Sequence, residues 1–179
     1  MGATSMHRAA GYSDYEWFTQ PGQYSPDLFT IHAHGTVRSV FYAAVESKKR
    51  PGEVWALVIK LWRTPNSYYN FTEKAMDETV GPVYTDAPKK VLDLLTPTDS
   101  EWANEWRAAC RKKIAHHEWV KQNVRPGTTF KIAEPLSFSD GRDRDTFTYT
   151  RENGREVIRS QDGYRVGLSR WRDRVTAVV

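Results

Sequence analysis

Two apolar runs stand out along the chain: Thr36 to Val45 (TVRSVFYAAV) and Glu53 to Trp62 (EVWALVIKLW), separated by the polar stretch ESKKRPG. Both are rich in β-branched and aromatic residues, which suit a pleated, half-buried surface. The pattern predicts a hairpin with a loop of about five to seven residues, longer than the tightest hairpin turns. Val54 to Ile59 has no polar interruption, so the second strand is expected to be central and covered on both faces. Beyond it, Tyr69, Phe71 and Glu73 alternate with Asn70, Thr72 and Lys74, as in a third strand ending near Lys74. Thr72 could instead cap a helix that Gly81-Pro82 would stop.

Helical signals frame this sheet. Ser13 and Glu16 form a capping box ahead of Trp17 and Phe18, and Pro21-Gly22 closes that segment. Asp86-Ala-Pro88 puts proline at a helix start, with Val91, Leu92 and Leu95 as its apolar stripe. Thr98 and Glu101 form a second capping box before a long helix. In that helix Trp102, Trp106, Cys110 and Ile114 recur every four residues, as one expected buried side. Arg125-Pro-Gly127 ends it. From Thr128 onward short strands alternate with turns, SDGRDRD, ENGRE and QDGYRVG among them; this grammar predicts a small antiparallel barrel or curled sheet. The expected fold class is therefore α+β: a small antiparallel sheet with packed helices over residues 1–124, then an antiparallel β barrel of SH3-like size over 125–179.

Composition narrows the picture in three ways. The chain has 179 residues and one cysteine, so no internal disulfide and no cysteine-based zinc cluster can form, which fits a reducing compartment. The longest apolar stretch, Val54 to Ile59, is too short to cross a bilayer, and no signal-like segment opens the chain. A soluble, unexported protein with no membrane partner is expected. The net charge of +4 and pI near 9.2 favour polyanionic partners, although charges of both signs are interspersed.

Several constellations carry candidate chemistry. Glu73, Lys74, Asp77 and Glu78 could hold a divalent cation and position water, as nucleases do; alternatively Asp77 and Glu78 satisfy a turn's backbone donors or pair with an arginine. His32 and His34, two apart, would share one face of a strand, and His116 and His117 sit late in the long helix, so a histidine metal site can be drawn. The expectation taken here is no metal and no cofactor. Cys110 lies on the apolar stripe and is read as a core residue rather than a nucleophile. Phosphate-cradling glycine loops and the GxSxG motif are absent, which removes the compact sequence case for a nucleotide fold or a serine hydrolase. Arg107, Arg111, Lys112 and Lys113 on the helix, and Arg142, Arg144, Arg151, Arg155 and Arg159 in the β region, form the candidate nucleic-acid or partner surface. Arginine pairs with phosphate bidentately and stacks on aromatics. The competing reading is that these arginines pair with the carboxylates interspersed among them.

TVRSVFYAAVES, GEVWALVIKLW, YYNFTEKAMDETVGP, EWRAACRKKI and RPGTTFKIAEPLSFSDGRDRDTFTY, in this order, resemble an uncharacterised family of bacteriophage and mobile-element proteins, common in actinobacterial hosts. The resemblance implies a setting, the cytoplasm of a bacterial host, and no particular activity. The leading expectation is a non-enzymatic accessory protein that binds nucleic acid or a host nucleic-acid-processing complex. The alternatives are a modulator of a host protein acting through an aromatic surface, and a metal-dependent nuclease or other hydrolase using Glu73, Asp77 and Glu78.

Overall fold

The computed structural model describes residues 27–38, 40–63, 71–78, 84–167 and 171–179; for 61–63 and 71–77 it describes the backbone alone. The helix expected after Ser13 and the Gly81-Pro82 stop lie outside the described residues. The chain divides into two compact units, Met1–Lys112 and Lys113–Val179. The division falls inside the long helix, whereas the composition change at Val124 to Gly127 marks that helix's end.

The first unit contains a four-stranded antiparallel sheet in sequential order, β1 (Phe29–Val37), β2 (Val40–Ser47), β3 (Val54–Arg63) and β4 (Phe71–Asp77). Three strands were expected. The fourth, β1, arises because TVRSVFYAAV is not one strand: it breaks at Arg38, which takes a positive φ of 61°, so Thr36 and Val37 end β1 and Val40 starts β2. In β2 and β3 the register sets Phe41, Ala43 and Val45 against Ile59, Leu57 and Trp55 on one face, and Tyr42 and Ala44 against Val58 and Ala56 on the other. Residues 40–45 and 56–59 are all buried, so the unbroken apolar run is central and covered on both sides.

The first helix among the described residues of this unit is α1 (Lys89–Leu92), which contacts β1 and β2 and buries Val91 and Leu92. Its approach is close: a Cβ on Gly35 would lie 3.0 Å from Cγ of Pro88, tighter than nine in ten real Cβ contacts. Next comes α2 (Glu101–Asn123), which crosses the division between the units. Its cap lies two residues later than the Thr98 box predicts. Ser100 Oγ accepts the Ala103 N–H at 3.3 Å, and Thr98 Oγ1 accepts the Ser100 N–H at 3.2 Å.

The buried face of the first half of α2 is Ala103, Trp106, Arg107 and Cys110. Trp102 does not share it and is 65% exposed, and Ile114 is half-buried. A helix advances about 100° per residue, so residues spaced by four drift about 40° per step. Trp102 thereby falls roughly 90° from the centre of the face that its neighbours bury.

The second unit contains a five-stranded antiparallel sheet in the order β8-β7-β6-β5-β9, from β5 (Thr129–Ser137), β6 (Asp143–Glu152), β7 (Arg155–Ser160), β8 (Arg165–Val166) and β9 (Val175–Val178). A single helical turn, α3 (Trp171–Arg174), precedes β9. The expected barrel is not formed. Closure needs the first and last strands of the order to pair, and among the described residues β8 pairs only with β7 and β9 only with β5. β6 and β7 meet at Asn153-Gly154, φ 49° and 76°. Two residues of positive φ make the tight turn whose twist matches that of the strands. Phe130, Ile132, Phe147, Tyr149 and Ile158 line one face of the sheet and pack with Trp171, Val175, Val120 of α2 and Val124 just beyond its end.

Trp106 is almost fully buried and donates its indole N–H to the Tyr84 carbonyl at 2.9 Å. Trp106→Ala should therefore destabilise by about 3–5 kcal/mol in a denaturant melt. Cys110 is fully buried, so a thiol reagent should label the folded protein far more slowly than the unfolded chain.

Candidate functional site

The four residues first suspected of catalysis have different surroundings. Glu73, Lys74 and Asp77 lie on β4, opposite Leu61, Lys60 and Leu57. Glu78, the next residue, is 1% exposed, and Arg107 of α2 is 5% exposed. Arg107 donates from Nε to Oε2 of Glu78 at 2.6 Å and from Nη2 to Oε1 at 2.5 Å. Its Nη1 donates to the Thr96 carbonyl at 2.5 Å. The planar guanidinium thus meets both carboxylate oxygens in a fork, the geometry that compensates burial of two charges. A pocket of about 470 Å³ borders the pair, lined also by Arg50, Trp55, Thr98 and Asp99. Arg111 donates to the Leu92 carbonyl at 3.3 Å, and Lys112 is exposed.

The four histidines among the described residues are each engaged locally. His32 lies at a bulge in β1, between the pairs Ile31↔Val45 and Ala33↔Ala44. Its Nε2 sits 2.6 Å from Glu46 Oε2, while His34 stands opposite Ala43 and stacks on Phe41 at 5.7 Å. The extra residue at the bulge breaks the two-residue alternation, so the two side chains do not share a face as expected. The Gly52 N–H and then His32 hold the Glu46 carboxyl below the usual range. In the second unit His116 Nε2 donates to the Arg172 carbonyl at 3.0 Å and His117 Nε2 lies 2.6 Å from Asp173 Oδ1, tying α2 to α3. Among the described residues no group of three or more His, Cys, Asp or Glu is arranged to hold a metal.

The arginines of the second unit fall into two sets. The first set is held. Arg144 lies between the Phe138 ring at 4.4 Å and the Tyr164 ring at 5.2 Å, and donates to Asp140 and Asp162. Hydrogen bonds from Arg144 hold both carboxyls low; Asp162, helped by Ser160, is brought down to about 2. Arg172 rests 4.4 Å from the Trp171 ring and pairs bidentately with Glu156, whose carboxyl it also holds low.

The second set lies on the sheet face opposite the aromatic core. The pairing Thr148↔Arg159, flanked by Glu152↔Arg155 and Arg159↔Arg165, puts Arg155, Arg159 and Arg165 on that face. Lys131, opposite Thr146, and Thr129, opposite Thr148, share it, as does Thr150. Arg159 is braced by Glu152 at 2.9 Å and the Gly163 carbonyl at 3.0 Å. Lys131 is 3.9 Å from Asp145. Arg155 and Arg165 are exposed and form no ion pair among the described residues. Arg165 lies across the Asp162-Gly163 turn from Arg159. Arg142 and Arg151, both exposed, sit at opposite ends of β6. About 3.4 Å per residue separates them by roughly 30 Å, so they do not belong to one contact.

Among the described residues these elements define a mixed protein with two antiparallel sheets and one long helix, several of its arginines held in buried or clamped pairs and others exposed on the outer face of the second sheet. Residues 97–172, from just before α2 to α3, match a family described as a domain of unknown function, DUF6927. No curated protein and no solved structure matches the chain. No helix among the described residues is long and apolar enough to cross a membrane.

Breaking the buried pair from one side leaves a charge without a partner. Arg107→Met should cost about 3–5 kcal/mol, and Glu78→Gln should lower the thermal midpoint in metal-free buffer. A rise on Glu78→Gln, with Mg²⁺ stabilising the wild type alone, would instead indicate a relieved metal site. The Asp140–Arg144–Asp162 cluster has a defined pH window. Its carboxyls are depressed on folding, so its stabilisation is present above about pH 4 and lost as pH falls toward 2. NMR titration of the Asp162 carboxyl should give a midpoint near 2, and Arg144→Gln should move it up toward the ordinary aspartate value.

Proposed function

We propose that this chain is a non-enzymatic accessory protein of a bacteriophage or mobile element, and that it binds nucleic acid through the outer face of its five-stranded sheet. The setting rests on the sequence resemblance described above. Support for binding comes from one observation: Arg155, Arg159, Arg165 and Lys131 share a sheet face whose other positions are threonines, Glu152 and the buried Val157. Guanidinium groups are weakly hydrated and match phosphate oxygens in a bidentate fork. Threonine hydroxyls are among the ordinary backbone contacts of nucleic-acid-binding proteins. Arg107, Arg144 and Arg172 have their donors committed within the protein and stand outside this reading, and Arg159 is engaged by Glu152 and the Gly163 carbonyl, so Arg155 and Arg165 carry most of it.

A second reading, a host protein as partner, draws support from Trp102, a 65% exposed tryptophan on the first turn of α2; such residues anchor protein interfaces. The hydrolase reading has to do without Glu78, since Arg107 occupies both of its oxygens.

Binding measured against salt separates these readings. Neutralising phosphates releases counterions, so log K should fall linearly with log salt, by about 0.9 per phosphate on a duplex. Arg155→Gln with Arg165→Gln should weaken binding and flatten that slope by roughly 2, about 1 for each phosphate contact removed. A partner captured in nuclease-treated extract and lost on Trp102→Ala would favour the protein reading.

A further inference from the structure

We infer that the ligand of this sheet face is a double-helical nucleic acid gripped by its sugar-phosphate backbone, not an unpaired strand. The inference deepens the proposed function and rests on it. Proteins that take unpaired strands stack the bases on exposed aromatic rings, a platform commonly built on an open sheet face or barrel. In this sheet the aromatics are on the wrong side for that. Phe130 pairs with Phe147, and Tyr149 pairs with Ile158, on the core face. Together with Trp171 these rings are at most 6% exposed.

The opposite face carries no aromatic side chain among its described strand positions. Between its arginines stand Thr129, Thr146, Thr148 and Thr150, with Glu152 and the buried Val157, none of which has a π surface to receive a base. Tyr164, exposed in the turn between β7 and β8, has its ring packed against Arg144 and Phe138. What this face can recognise is therefore charge and hydrogen-bond acceptors. A duplex presents these outward with its bases stacked inside, at about one charge per 1.7 Å of axis. The same charge density returns more counterion release per arginine, about 0.9 on a duplex against about 0.7 on a single strand.

The test uses the full chain, labelled DNA and RNA duplexes of about 20 base pairs, and an oligothymidine of about 20 nucleotides, titrated by fluorescence anisotropy between about 50 and 200 mM salt. The duplexes should bind about tenfold tighter than oligothymidine at equal salt. A preference shared by both duplexes, or confined to one, supports the inference and names the source. Thr148→Tyr, which adds a ring between Thr129 and Arg159, should tighten oligothymidine binding about tenfold by supplying the missing stack. Oligothymidine bound by the wild type as tightly as the duplexes would overturn the inference while leaving nucleic-acid binding in place. No binding of any of the three at the lowest salt would overturn both. Duplex binding unaffected by Arg155→Gln with Arg165→Gln, in a variant whose melting point matches the wild type, would overturn the assignment to this face.

Discussion

One guanidinium holds the first unit together. Arg107 reaches from α2 to the carboxylate that follows β4 and to the carbonyl of Thr96. Thr96 is itself bonded to the start of β3, its N–H donating to the Val54 carbonyl while its hydroxyl accepts the Val54 N–H. A single buried cation thus fixes where the helix, the connecting segment, the third strand and the fourth strand meet. Burying two charges is costly, and a hydrophobic substitute of the same shape would often be equally stable. The ion pair differs in that its donors and acceptors match in one arrangement only. A helix held by apolar contacts alone could rotate or slide; one that must present Arg107 to Glu78 cannot do so without stranding a charge.

Arginine performs the same service twice in the second unit. Arg144 joins the β5–β6 turn to the β7–β8 turn through Asp140 and Asp162, and packs between Phe138 and Tyr164. Arg172 joins α3 to Glu156 of β7. These clamps sit at loop ends and at a helical turn, where few backbone bonds constrain the chain. The long apolar stem and planar head of arginine suit such positions, because one side chain can cover a ring and neutralise a carboxylate together. An arginine-rich composition is consequently poor evidence of a phosphate ligand until each residue's partners are known.

That dependence on partners explains what was legible in the sequence. The Asn153-Gly154 hairpin was readable because its turn chemistry is local. The burial of β3 was readable because six apolar residues in succession leave no face for water. β1 was also readable in principle: Phe29, Ile31, Ala33, Gly35 and Val37 alternate with threonine and histidine. It was overlooked because TVRSVFYAAV resembles one continuous strand, and the break depends on a positive φ at Arg38. Trp102 was misplaced because a four-residue spacing mimics a stripe while rotating away from it. That Glu78 pairs with an arginine was among the expected readings, but which arginine it is, and whether the second sheet closes, were not legible. Both are contacts between distant parts of the chain, 29 residues apart for the ion pair, and no local pattern encodes them.

The two faces of the second sheet divide stability from recognition. Its aromatic face is filled by Phe130, Phe147, Tyr149 and Trp171, so substitutions there are felt as lost packing. Its outer face presents β-branched residues, threonines and Val157, which suit the strand conformation, together with the exposed Arg155 and Arg165. Residues on such a face are free to change charge with little effect on folding. Arg107 is the opposite case, since any change there is registered first as loss of the fold. For that reason the physical evidence about recognition has to come from Arg155 and Arg165, where altered binding and altered stability can be told apart.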